Sequence, residues 1–201
     1  MFLLNEILNF GPGRREEALA RLQYIHGLMA SKAGFQRAIV AKYLGSPTRH
    51  TILRVWDDES VFRAFREGPD GNYGRGRPEG LYSNEAVVPE WNSYTEAQGS
   101  AKGGYLVKVQ NQVPESAKAA YRQHQTQLNK MAQDLGGLVS AWQFQAKEGD
   151  DFLTIWRFAG VANFERMFEN PQRVQLRAAL PEGISQSSTE CFEVVSEVLP
   201  S

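Results

Sequence analysis

His50, Arg54 and Trp56 fall at alternating positions of "HTILRVW", so in an extended strand all three side chains leave one face. The imidazole can take a proton, the guanidinium can hold an oxyanion, and the indole can lie against a flat ring. Together they suit proton abstraction from an electron-rich aromatic molecule. The same parity of "DFLTIW" carries Phe152, Thr154 and Trp156, with a threonine where the first stretch has arginine. The opposite parity is aliphatic in both, Leu53 and Val55, Leu153 and Ile155, and is assigned to the face that helices cover. The mixed set is then expected between two sheets. On the opening strands Glu6 and Lys108 join it, with Gln110 beside Lys108, while Tyr105, Val107 and Val109 face the helices. Polar groups between sheets are costly unless paired or solvated. Glu6, His50, Arg54 and Lys108 are therefore either an ion-pair network or the lining of a wet pocket.

Composition narrows the classes. The chain has 201 residues, enough for one large domain or two small ones. A formal charge of -1 offers no basic surface for a polyanion, so no nucleic-acid partner is expected. The single cysteine, Cys191, forms no intrachain disulfide, and the three histidines show no metal-ligand spacing, so no metal site is expected. "MFLLNEILNF" reads as a first strand rather than a leader, and no stretch approaches the roughly 20 apolar residues of a membrane span. The expected location is cytoplasmic, with no membrane partner.

The elements that would hold these residues occur twice in order. Pro12 and Pro114 each open a helical stretch, and "AGF" and "GGL" follow the helices. Trp56 and Trp156 end the matching strands, Phe62 parallels Phe164, Pro69 parallels Pro171, and "PEG" recurs at Pro78 and Pro181. Leu19, Leu22, His26 and Met29 make one helix face in the first copy. Tyr121, His124, Leu128 and Met131 make it in the second. Each copy reads as βαββαβ, the ferredoxin-like unit. The fold class is α+β: two such repeats, residues 1–97 and 104–199 with 98–103 as linker, packed sheet to sheet as an intramolecular barrel. Homo-oligomers of this fused pair are possible in principle.

The helix, the following "GF", and the strand running into "WDDESVFRAF" (Trp56 to Phe65) resemble the antibiotic biosynthesis monooxygenase (ABM) family of dimeric α+β barrels, here in tandem. That resemblance implies cofactor-free oxygenases of quinols and anthrones, haem-degrading enzymes, or non-catalytic binding or stress-related barrels. In such members a tryptophan at the end of the third strand, matched by Trp56 and repeated by Trp156, acts with an asparagine on the first strand. Asn5 and Asn9 are candidates, and Asn111 repeats Asn9. Haem-degrading members place a histidine after the second helix. This chain instead has "GPDGNYGRGRPEG", with Tyr73, Arg75 and Arg77, so neither haem nor any other cofactor is expected. The implied catalytic set is Trp56, His50, Arg54, Glu6 and Asn5. Tyr73, Arg75, Trp156 and Lys108 would bind substrate, a small aromatic molecule that reacts with O2. Because Arg54 has only Thr154 as its counterpart, the first copy is expected to hold the working pocket.

Overall fold

A computed structural model describes residues 1–72, 78–83, 90–99, 103–147 and 149–201. The elements run β1 (Phe2–Asn9), α1 (Arg15–Ala30), β2 (Phe35–Tyr43), β3 (Arg49–Trp56), α2 (Glu59–Glu67) and β4 (Glu90–Gln98). They continue with β5 (Tyr105–Gln112), α3 (Lys118–Asp134), β6 (Leu138–Ala146), β7 (Asp151–Phe158), α4 (Val161–Phe168), α5 (Pro171–Ala178) and β8 (Ser185–Val198). The order βαββαβ thus appears twice, the second time with an added helix. The fold is α+β with antiparallel strands: β3 lies between β1 and β2, β7 lies between β5 and β6, and β8 pairs with the other edge of β5. No helix among the described residues is long and apolar enough to cross a membrane.

Local chemistry sets the helix ends. The Asp58 side chain accepts from the Val61 amide at 3.0 Å and starts α2. Asn170 accepts from the Gln172 amide at 2.9 Å, and Pro171 opens α5 with its φ already helical. Beyond α3 the backbone turns at Gly136 with φ +73°, a left-handed conformation that favours glycine.

The chain divides into two compact units, Met1–Asn92 with Val194–Ser201, and Ser93–Glu193. In the first, β1 and β2 flank β3 in antiparallel register, with Phe2 opposite Trp56 and Glu6 opposite Ile52. Phe2, Leu4 and Trp56 pack with Ile25 and Met29 of α1 and with Phe62 and Phe65 of α2. Leu8 and Ile52 pack with Ala18 and Leu22. In the second unit β5 and β6 flank β7, and Val107, Trp156 and Phe158 pack with Leu128, Met131 and Met167.

These contacts reverse the expected facing of the tryptophan strands. The parity holding His50, Arg54 and Trp56, and that holding Phe152, Thr154 and Trp156, lies under the helices; Leu53, Val55, Leu153 and Ile155 point the other way. The aliphatic rule failed because the covering helices present polar as well as apolar groups. Arg54 meets His26 of α1, and Thr154 meets Gln125 of α3. Burial on that side therefore leaves polar side chains hydrogen-bonded. The pairing of Glu6 with Lys108 is also corrected. Phe35 faces Trp56 while Leu138 faces Phe158 and Ala141 faces Trp156, so Trp56 corresponds to Phe158 and Trp156 to Arg54; Glu6 then corresponds to Val109, under the helices, whereas Lys108 lies on the opposite face as expected.

Candidate functional site

Arg54 and Glu6 come together as the polar reading required, but beneath α1 rather than between sheets. Arg54 Nη1 donates to Glu6 Oε2 at 2.5 Å, and its Nε donates to His26 Nε2 at 3.2 Å. An imidazole nitrogen that accepts has no proton there, so His26 is held neutral. Burial, with the Arg54 charge beside it, pushes its pKa down to about 2. His50 is separate. It stacks on Phe10 with ring centroids 3.8 Å apart, and its Nδ1 donates to the Thr48 carbonyl at 2.8 Å. Its buried Nε2 finds no partner among the described residues. Burial holds its pKa below the usual histidine range.

Trp56 is fully buried, with Phe35 edge-on at 5.3 Å and Phe65 stacked at 5.2 Å. Asn5 and Lys108 occupy the face away from the helices. The Thr51 hydroxyl donates to Asn5 Oδ1 at 2.9 Å, and Lys108 Nζ lies 3.7 Å from Glu190 Oε2 and 5.3 Å from the centre of the Phe192 ring. Tyr73, Arg75 and Arg77 lie outside the described residues. An open groove of about 400 Å³ runs beside Trp56, but its charged groups, Lys32 and Asp70, bond to each other at 2.6 Å. Of the residues named for the first copy, Trp56 borders that groove, while Arg54 and Glu6 meet beneath α1 and Asn5 lies on the other face of the sheet.

The second unit contains a cavity of about 190 Å³ between its strands and helices, and of the residues expected to act only Trp156 lines it. β5, β7 and β8 supply Val109, Asn111, Trp156 and Thr189 as its floor. Tyr121, His124, Gln125 and Leu128 come from one face of α3, because these positions repeat at helical spacing. Phe164, Met167, Phe168, Arg173 and Arg177 close it from α4 and α5. The volume lies below the usual range for ligand sites, about 300–1,000 Å³. It therefore suits a small molecule of one or a few rings.

Its polar groups are ordered by one another. Asn111 Nδ2 donates to the Tyr121 hydroxyl at 2.8 Å, and Thr154 Oγ1 donates to Gln125 Oε1 at 3.3 Å. Trp156 Nε1 donates to Asn129 Oδ1 at 3.0 Å, and Asn129 and Gln143 exchange amide bonds at 2.9 and 2.8 Å. These bonds fix the indole plane at the cavity wall. Burial pushes the Tyr121 phenol up to about 12, so it stays protonated at neutral pH. Burial pushes His124 down to about 4; the Leu176 carbonyl favours its proton, and Arg173 and Arg177 oppose it. His124 is thus a neutral imidazole, with one ring nitrogen carrying a lone pair.

His124 and Tyr121 were visible in the sequence as members of the α3 stripe, where they read as core. Gln125, Arg173 and Arg177 carried no motif. Their signal was positional, since they flank a stripe that covers the tryptophan strand. No group of three or more histidine, cysteine or acidic side chains among the described residues is placed to hold a metal.

No protein-family model matches the sequence, and no curated protein matches it. Solved structures do match in fold. A putative monooxygenase from Fusobacterium nucleatum aligns over 98% of this chain and 94% of its own, with a TM-score of 0.78 at 7% identity. A second putative monooxygenase, from Lactobacillus acidophilus, covers 100% of this chain and 98% of its own, with a TM-score of 0.77 at 7% identity. An anthrone oxidase-like protein covers 100% and 93%, with a TM-score of 0.63 at 13% identity. The chain shares its fold with monooxygenase-like α+β barrels.

Proposed function

We propose that the chain oxidises a small phenolic or anthrone-like aromatic molecule directly with O2, in the cavity of its second unit. The observation that carries this reading is the neutral His124 imidazole in a cavity that also presents Trp156 and the Asn111–Tyr121 pair. His124 removes a proton from the substrate, Trp156 and Phe164 flank the ring, and the Tyr121 and Gln125 side chains order the polar end of the site. With an anthrone, the deprotonated carbon passes one electron to O2 and the resulting radicals combine as a peroxide. The peroxide takes the proton back from His124 and loses water to leave a carbonyl. The carbon exchanges two hydrogens for one oxygen atom, and the second oxygen leaves as water.

The reading needs no cofactor. Haem, used by some proteins of similar fold, is not accommodated by the cavity at about 190 Å³, and Tyr121, an alternative iron ligand, is buried with its hydroxyl bonded to Asn111. The fold likeness to monooxygenase-like proteins and to an anthrone oxidase-like protein supports the reaction class. We read the doubled element order as an internal duplication, and we propose a cytoplasmic location. The test is oxygen uptake with anthrone or hydroquinone. Each turnover should consume one O2, and isotopically labelled O2 should put one labelled atom into the product. Uptake no faster than in buffer would reject the reading.

A further inference from the structure

Among the described residues two guanidinium groups line the cavity, Arg173 and Arg177, and no aspartate or glutamate does. They stand a helical turn apart on α5, a spacing at which like charges repel. Their bonds go to neutral groups. Arg173 Nη1 donates to the Phe168 carbonyl at 3.0 Å, with its guanidinium 3.9 Å from the centre of the Phe168 ring. Arg177 Nη1 donates to Gln186 Oε1 at 3.2 Å. Burial and the Arg177 charge both hold the Arg173 pKa below its ordinary value, with no acidic group opposing them. The same two charges help to keep His124 unprotonated.

α5 has no fully buried residue, and of its side chains Leu176 packs against the core of the second unit, so packing does not account for the two arginines. Two cations at the wall of a cavity whose other polar groups are neutral create a positive field, and its natural occupant is an anion. The planar guanidinium fork matches a carboxylate in particular. The apolar part of the lining, with Val109, Leu128, Phe164, Met167 and Ile184, suits an aromatic body.

We propose that Arg173 and Arg177 are the specificity-determining residues of this cavity and select an aromatic substrate that carries a carboxylate. This rests on the reading that the cavity binds a small aromatic molecule. The acid group sits at the α5 wall and the ring reaches inward to Trp156, so the arginines orient the reacting carbon or phenol toward His124.

Calorimetric titration of salicylate and of salicylamide, its neutral isostere, into the native protein and into the Arg173→Met/Arg177→Met variant tests the proposal. The native protein should bind salicylate about 10- to 100-fold more tightly than salicylamide. That preference should shrink with added salt and vanish in the double variant, while salicylamide affinity stays within about twofold. Circular dichroism should show the variant folded, since neither arginine is fully buried and Leu176, the α5 side chain that packs on the core, is kept. Equal binding of the two probes, a preference unchanged in the variant, or binding of neither would overturn the proposal. Oxygen uptake separates it from the oxidation reading. Salicylate preference without O2 consumption on any phenol would leave the anion site standing and reject oxidation. Oxidation of hydroquinone together with equal binding of the two probes would do the reverse.

Discussion

Trp56 ends β3 and Trp156 lies two residues before the end of β7, and of the two only Trp156 has a partner for its indole N–H, the Asn129 Oδ1 at 3.0 Å; the buried Trp56 nitrogen has none among the described residues. One ring is filler in a phenylalanine cluster and the other is oriented at a cavity wall. That difference is why we assign the proposed site to the second unit.

Trp56→Ala should therefore act on stability. Removing a fully buried indole from among Phe2, Phe35, Phe62 and Phe65 should cost about 3–5 kcal/mol in chemical denaturation. Ligand affinity in the second unit, measured on the folded fraction, should stay within about twofold. A stable Trp56→Ala variant that loses binding would place the site in the first unit instead.

Trp156→Phe removes the donor to Asn129 and should cost about 1 kcal/mol of stability. It should also weaken aromatic ligand binding, because the ring loses the bond that holds its plane. Denaturation and titration on the same preparation check both effects.

The buried group of Glu6, Arg54 and His26 should prove structural. Arg54→Met leaves Glu6 without its cation and should destabilise the protein by about 3 kcal/mol. Replacing all three by apolar residues should recover most of that loss. Chemical denaturation of the single and triple variants gives the comparison.

The histidines predict the sign of the pH dependence. His26, His50 and His124 all have pKa values below the ordinary 6.5, so the unfolded chain binds more protons than the folded one below that pH. Their contribution to stability is complete above about pH 6.5. It is lost progressively as pH falls toward about 4 for His124 and about 2 for His26. Denaturation midpoints should fall between about pH 7 and about pH 5, and less steeply in a His26→Leu variant. Activity should persist further into acid, with its acid limb near 4 rather than near 6.5, because His124 stays unprotonated.

The order of elements was legible: alternation and helical spacing read each half as βαββαβ, and the strands and helices form in that order, with α5 added in the second half. The match of Trp56 with Trp156 was not, because the two strands are offset by two positions, with Phe35 facing Trp56 and Leu138 facing Phe158. Strand facing was not legible. Alternation says that Arg54 and Leu53 point opposite ways, but which face the helices cover depends on what those helices present. His26 and Gln125 made the polar parity the covered one. The site was hidden for the same reason. His124 on a helical stripe looks like any buried histidine until α5 brings Arg173 and Arg177 beside it.

Oxygen uptake by the native protein and by His124→Asn, with anthrone as substrate, tests the central claim most directly. The native protein should consume O2 above the buffer rate, and His124→Asn, still folded by circular dichroism, should lose about 10²- to 10⁴-fold in rate; a His50→Asn control that remains folded should lose little. No uptake by the native protein, or uptake untouched by His124→Asn, would contradict the account.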